Sequence, residues 1–330
     1  MFFVNVTCRI FYNMQRIPVQ LITGFLGAGK TTFLNHFIQE RSDERLFVIE
    51  NEVGKINVDS ELVMNGEEDI AGLTAGCLCC SLHDKLLDVL EEASFRRDEY
   101  DRLVIETTGV ADPTSIIQTF LGNRMVERVF DLQQVICLAD AAYVEENINA
   151  TDEARRQLVS ADVVLLNKCD QVSSSKVEQL VQTLNGINPT ATIFRGEQGA
   201  FPVDEILAVQ PFHDERTDRV AAVVPDGTHQ HNDITTFTLT FDRPFNLESL
   251  ARELIKLARL YRHQVYRIKG IIAVNHTPTR VVIQSVRDSF VLTDGPPWEP
   301  DSERISHIVF IGKNVKREAI EKLLGRHLIK

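Results

Sequence analysis

Short apolar runs separated by amphipathic stretches repeat from Val19 to about Phe194: VQLIT, LFVIEN, RLVIE, QQVICLA, DVVLLNK and ATIFR. Runs of this kind read as strands of a parallel sheet buried by helices on both faces, an α/β architecture. Helix signals lie between them. Ser81 with Asp84 opens a helix that places Leu82, Leu86, Leu90 and Ala93 on one face, and Asp112-Pro113 opens another. Residues 197–232 change character, with Pro202, Pro211, Pro225 and Gly227, and read as a partly ordered linker. Beyond it, TTFTLTFD, YRIKGIIAV, RVVIQSV and SHIVFIG read as strands. LESLARELIKLARLY and VKREAIEKLL read as helices. That order predicts a smaller α+β domain with an antiparallel sheet. The GPPWEP stretch around Trp298 reads as a turn anchored by an aromatic residue.

A chain of 330 residues accommodates two domains with their own cores. The formal charge of -12, from 35 basic and 47 acidic residues, argues against nucleic acid or an anionic membrane as partner and suits a metal cation. No apolar run approaches the length of a bilayer span, and the first residues lack a signal-peptide pattern, so a cytoplasmic protein is expected. Met14 stands just before the first strand, and residues 1–13 are expected to be an extension from an upstream start codon. Of the six cysteines, Cys77, Cys79 and Cys80 fall within four residues. Such crowding fits a thiolate metal site in a reducing compartment better than a disulfide framework.

The chemistry concentrates first in VQLITGFLGAGKTT, where Gly24, Gly29, Lys30 and Thr31 satisfy the G-x-x-x-x-G-K-[ST] spacing of a phosphate-binding loop. A polyphosphate needs successive backbone N–H groups converging on it, which favours Gly24, Gly27 and Gly29, followed by Ala28, Lys30, Thr31 and Thr32 at the positive end of a helix. Lys30 is placed to reach the outer phosphates and Thr31 to bind Mg²⁺ through its hydroxyl.

Three further motifs follow. Asn167-Lys168-Cys169-Asp170 closes an apolar strand and resembles the guanine-reading N-K-x-D of GTPases, in which Asp170 would accept two hydrogen bonds from the guanine edge. Glu106-Thr107-Thr108-Gly109 resembles their D-x-x-G, with Glu106 on Mg²⁺ and the Gly109 N–H at the γ-phosphate. Val110 stands where many GTPases carry a water-orienting glutamine, so slow intrinsic hydrolysis is expected. Cys77-Leu78-Cys79-Cys80 supplies three soft ligands for tetrahedral Zn²⁺, or for Co²⁺, with the fourth position open.

GFLGAGKTT, ENEVGK with Asp59, GCLCC, ETTG and NKCD, in that order, resemble the CobW-type family of metal-handling GTPases, relatives of the urease and hydrogenase nickel accessory GTPases. The resemblance implies a P-loop NTPase domain over 14–196, a linker over 197–232 and the family's variable C-terminal α+β domain over 233–330. It also implies GTP binding, slow metal-stimulated hydrolysis to GDP, and delivery of a transition metal, zinc or a similar ion such as Co²⁺ or Ni²⁺, to a client metalloprotein whose identity the sequence does not give. The family's E-N-E-F-G-E segment is Glu50-Asn51-Glu52-Val53-Gly54-Lys55 here. Lys55 removes a carboxylate, which leaves the oxygen ligand open: Glu50 first, then Glu52, His83 or water. His213, His229 and His231 are too sparse for a histidine-rich metal store, and that stretch reads as ordinary linker.

These motifs give a mechanism in which GTP and Mg²⁺ order residues 50–59, completing a metal site with Cys77, Cys79 and Cys80, and hydrolysis releases it. A non-catalytic metal sensor or store that binds nucleotide for stability is the alternative, separated by its lack of metal-stimulated phosphate release. A kinase on the same fold is disfavoured by N-K-x-D.

Overall fold

The computed structural model describes residues 16–50, 71–72, 82–109, 111–209, 229–231, 234–287, 289–299 and 302–329. The chain divides into two compact units, one built on a parallel sheet and one on an antiparallel sheet.

The first unit contains β1 (Ile17–Gly24), α1 (Lys30–Glu40), β2 (Leu46–Glu50), β3 (Ala71–Gly72), α2 (Leu82–Phe95), β4 (Arg102–Glu106), α3 (Thr114–Gly122), α4 (Arg124–Val129), β5 (Phe130–Asp140), α5 (Val144–Ala150), α6 (Asp152–Ser160), β6 (Val163–Asn167), α7 (Ser174–Ile187), β7 (Thr192–Arg195) and α8 (Val203–Leu207). Its seven strands run parallel in the order β3-β2-β4-β1-β5-β6-β7. The central strands are buried because both faces are covered: Val19, Leu21, Ile22, Val48, Ile49, Leu103, Val104, Ile136, Leu138, Val163 and Leu165 are all 0 % exposed. β1 lies between β4 and β5, where strand order reverses, so its carboxyl end opens at the topological switch point of the sheet.

α1 has no side-chain N-cap, since Gly29 occupies that position at φ 99°. Burial holds the helix instead. Phe33, Leu34 and Phe37 are fully enclosed, each contributing about 2 kcal/mol, and the uncapped first-turn N–H groups remain for an anion.

In the second unit, β8 (His229–His231), β9 (Ile234–Phe241), β10 (Val265–Ile272), β11 (Thr279–Val286), β12 (Ser289–Pro297) and β13 (Ser306–Lys313) form an antiparallel sheet in the order β12-β11-β10-β13-β9-β8. α9 (Leu247–Leu260) is capped by Asn246, whose side chain accepts from the Ser249 N–H at 2.9 Å. Its Leu250, Leu254 and Leu257 join Phe237, Phe310, Ile268 and Ile283 of the sheet in one core, closed by Ile320 and Leu324 of α10 (Arg317–Leu324). Phe237 and Phe310 stack at 5.4 Å.

The structure adds to the sequence reading in one place and differs from it in another. The stretch expected as a partly ordered linker carries an element near each end. Its beginning folds with the parallel-sheet unit, as Phe201, Val203 and Ile206 are buried and α8 forms. His229–His231 is a strand paired with β9. In GPPWEP, Gly295 to Pro297 end a strand instead of making a turn. β12 is an edge strand, where a proline without N–H loses no ladder bond, and the pairing shifts between Thr279 and Val281. Trp298 then donates its main-chain N–H to Pro278 O at 3.1 Å and lies under the Arg280 guanidinium at 4.8 Å.

Candidate nucleotide and metal site

Parallel pairing brings the carboxyl ends of the strands to one rim: Glu50 opposite Glu106, Ile22 opposite Glu106, Gly24 opposite Leu138, and Asp140 opposite Asn167. The loop between β1 and α1 rises from this rim. Gly24 has φ +137°, and a Cβ there would fall 2.2 Å from Leu138 O, so only glycine lets β1 turn against β5.

Lys30 folds back over the loop, its Nζ donating to Gly24 O at 3.2 Å and Phe25 O at 3.0 Å. It is 8 % exposed. Burial lowers its pKa from the ordinary lysine value, opposed by the nearby Glu106 charge. Thr31 Oγ1 donates to Glu106 Oε1 at 3.1 Å, joining the helix start to the end of β4. Thr107 extends this junction, its N–H on Ile22 O at 2.9 Å and its hydroxyl on Thr23 Oγ1 at 3.0 Å. Gly109 presses on the same loop, where a Cβ would fall 2.5 Å from Leu26 Cα.

The N-K-x-D residues reach the loop from the other side. Asn167 Nδ2 donates to Ala28 O at 2.9 Å, and its Oδ1 accepts the Gly199 N–H at 3.0 Å. Lys168, at φ 60°, donates to Gly27 O at 2.8 Å and to Asp140 Oδ2 at 2.7 Å. Asp170 lies exposed in the short 3-10 turn Cys169–Gln171. Thr32 is also exposed, beside the turn that carries Gly199.

The sequence reading missed two parts of this rim. Asp140 is buried, accepts the Ala142 N–H at 2.9 Å and anchors Lys168. A polar residue ending an apolar parallel strand is the signal it shares with Glu106 and Asn167. The turn after β7, with Gln198 at φ 53° and Gly199 at φ +75°, packs on Thr32 and Asn167. GEQGA after an apolar run was its signal.

Glu50 ends β2 half-buried, one strand from Glu106. His83 falls in the first turn of α2. Residues 1–13, Glu52, Lys55, Asp59, Cys77, Cys79, Cys80, Val110 and His213 lie outside the described residues. Of the other cysteines, Cys137 is fully enclosed and burial pushes its thiol up to about 12, and burial also raises the Cys169 thiol. Both are therefore poor thiolates. Among the described residues no cluster of three metal-ligating side chains occurs, and no helix is long and apolar enough to cross a membrane.

Comparison with known proteins gives the family. The family description "CobW/HypB/UreG, nucleotide-binding domain" matches residues 18–195, and "Cobalamin synthesis protein cobW C-terminal domain" matches residues 234–328. The chain is 34 % identical to the zinc chaperone YjiA of Escherichia coli strain K12, over 93 % of this chain and 97 % of the relative. It is 29 % identical to the zinc chaperone CobW of Pseudomonas aeruginosa, over 94 % and 92 %. The crystal structure of Zn(II)-bound YjiA GTPase from E. coli superposes with a TM-score of 0.74 at 30 % identity, covering 96 % of this chain and all of that one. With both domain descriptions matched in order and a relative above 30 % identity along nearly its whole length, the chain belongs to the CobW/HypB/UreG family, among the members that carry the CobW C-terminal domain.

Proposed function

We propose that this protein is a GTPase metallochaperone: it binds GTP at the rim of the parallel sheet, hydrolyses it slowly with stimulation by metal, and delivers zinc or a similar transition metal to a client protein. The observation that carries the reading is the Thr31–Glu106 contact at 3.1 Å beside the phosphate loop, with Asn167 and Lys168 fastened to the same loop. Names of relatives support the cargo, since YjiA and CobW, similar along nearly the whole chain, are named zinc chaperones and the YjiA GTPase structure is Zn(II)-bound.

The chain's own groups define what each would do. The phosphates replace the Gly24 and Phe25 carbonyls as partners of Lys30, because a charged oxygen is the stronger acceptor. The Gly24, Gly27, Ala28, Gly29, Thr31 and Thr32 backbone cradles them, Asp170 reads the base, and Asn167 and Lys168 hold the loop in register. A hydroxyl and a carboxylate in contact are the hard oxygen donors that Mg²⁺ takes, so Thr31 and Glu106 fit that ion. When bound, it would neutralise phosphate charge. Gly109 carries its N–H to the terminal phosphate.

Cys77, Cys79 and Cys80 bind the cargo as thiolates, with Glu50 as the oxygen ligand. Glu50 ends the strand beside Glu106, so the segment that leaves β2 starts one strand from Glu106 and two from β1, whose end carries the phosphate loop. Ordering of residues 50–59 by GTP tightens the metal, and hydrolysis loosens it. The test is phosphate release by the purified protein with GTP, with and without Zn²⁺, and with ATP as competitor. Slow turnover that rises with Zn²⁺ and resists ATP is expected. Release that ignores metal would favour a sensor or store, and many turnovers per second without metal would contradict the slow-hydrolysis reading.

A further inference from the structure

Gln157 lies on α6 with 0 % exposure, and nothing in its sequence context marks it as chemical. Its Nε2 donates to two main-chain carbonyls of a single segment, Ala111 O at 2.9 Å and Gly109 O at 3.3 Å. The preceding helix residue acts on the same segment, since Arg156 Nη1 donates to Asp112 Oδ2 at 3.1 Å. Asp112 in turn accepts the Thr114 N–H at the start of α3, at 3.0 Å. Two consecutive side chains thus grip one segment at three points, Gly109, Ala111 and Asp112. Elsewhere the segment touches the phosphate loop, where Gly109 lies so close to Leu26 that a Cβ has no room. The stretch after Glu106 therefore contacts both the loop and α6.

The amide's orientation is set by chemistry, because only its NH₂ end can face two carbonyls. Its Oε1 is buried and, among the described residues, has no hydrogen-bond partner. A leucine would remove the unpaired Oε1 but would also leave the Gly109 and Ala111 carbonyls without this donor, so the glutamine is accounted for by the two bonds it makes to that one segment.

We propose that Gln157 is a positioning residue, assisted by Arg156, that holds the segment after Glu106 against the phosphate loop in register to meet the terminal phosphate of GTP. The inference rests on the reading of Glu106 to Gly109 as the γ-phosphate segment. Its consequence is selective. GDP carries no γ-phosphate, so loss of the clamp weakens GTP and spares GDP.

The experiment is calorimetric titration of the full chain with a non-hydrolysable GTP analogue and with GDP, in Mg²⁺, for wild type, Gln157→Leu and Arg156→Gln. Gln157→Leu is expected to weaken the analogue about tenfold, equivalent to about 1.4 kcal/mol, and to leave GDP within about twofold. Arg156→Gln, at a partly exposed position, is expected to act in the same direction by about threefold, on the order of half that energy. It decides the matter if Gln157→Leu does not fold. Variants that bind both nucleotides as wild type does would overturn the proposal. Equal loss of both nucleotides would also overturn it, by showing a merely structural residue. Failure of the wild type to bind guanine nucleotide, in contrast, would sink the functional reading and this inference with it.

Discussion

The two ends of the parallel sheet carry similar side chains and use them differently. At the amino end, charge is consumed internally. Arg102 donates to Glu44 at 2.6 Å and to Gln20 at 2.9 Å, and Gln20 reaches Gln133 at 3.3 Å. Arg41 holds Glu44 and also Asp204 at 2.7 Å, and Arg45 grips both oxygens of Asp101 at 2.8 and 3.1 Å. At the carboxyl end, Lys30 leans on two neutral carbonyls, and the first turn of α1 is uncapped. A cluster whose cations face carboxylates is finished as structure. One whose buried cation faces weak acceptors has its strongest interaction left for an anion.

That contrast can be broken most forcefully at Lys30. Lys30→Ala should weaken GTP and GDP about 100-fold, roughly 2.7 kcal/mol, without lowering the melting temperature, because removal of a buried ammonium relieves its desolvation. Calorimetry and a thermal melt check both halves. Arg102→Met should do the reverse: it leaves Glu44 without its main partner and should cost about 2 kcal/mol of stability in urea, below the usual figure for a buried pair because both groups keep some water. Its nucleotide affinity should stay at wild-type level. Glu106→Gln should lose about tenfold of the Mg²⁺-dependent part of GTP affinity, about 1.4 kcal/mol, and nothing in EDTA.

The smallest effect sharpens the comparison through pH. Burial pushes the Glu44 carboxyl up, but hydrogen bonds from Arg102 and Arg41 outweigh it and hold its pKa below the ordinary 4.5. Glu44 therefore contributes stability that is present above the unfolded carboxylate range and is lost as pH falls through the lowered folded value. Acid melts should show Glu44→Gln losing less stability than wild type below about pH 4.5.

Much of the first unit was legible because a strand buried on both faces needs a continuous apolar run, and few other elements produce one. The phosphate loop was legible for a harder reason: Gly24 has neither the φ nor the space for another residue. Helix α8 escaped because five residues after Pro202 show no period, although Val203 and Ile206 are buried. The strand ending at Pro297 escaped because proline signals a turn until its edge position is known. At the rim, motifs single out Glu106 and Asn167, whereas Gln157 has none. Only topology brings α6 beside Gly109 and Ala111.

The central claim is that nucleotide and metal feel one another through the chain that leaves β2. It is tested most directly by Zn²⁺ titration of the protein with GTP analogue, with GDP and without nucleotide, on wild type and on Cys79→Ala/Cys80→Ala. Metal should bind wild type at least about tenfold tighter with the analogue than with GDP, a coupling of about 1.4 kcal/mol that zinc must return to the nucleotide, and the double variant should lose both the site and the coupling. Equal zinc affinity in the two nucleotide states of wild type would contradict the account.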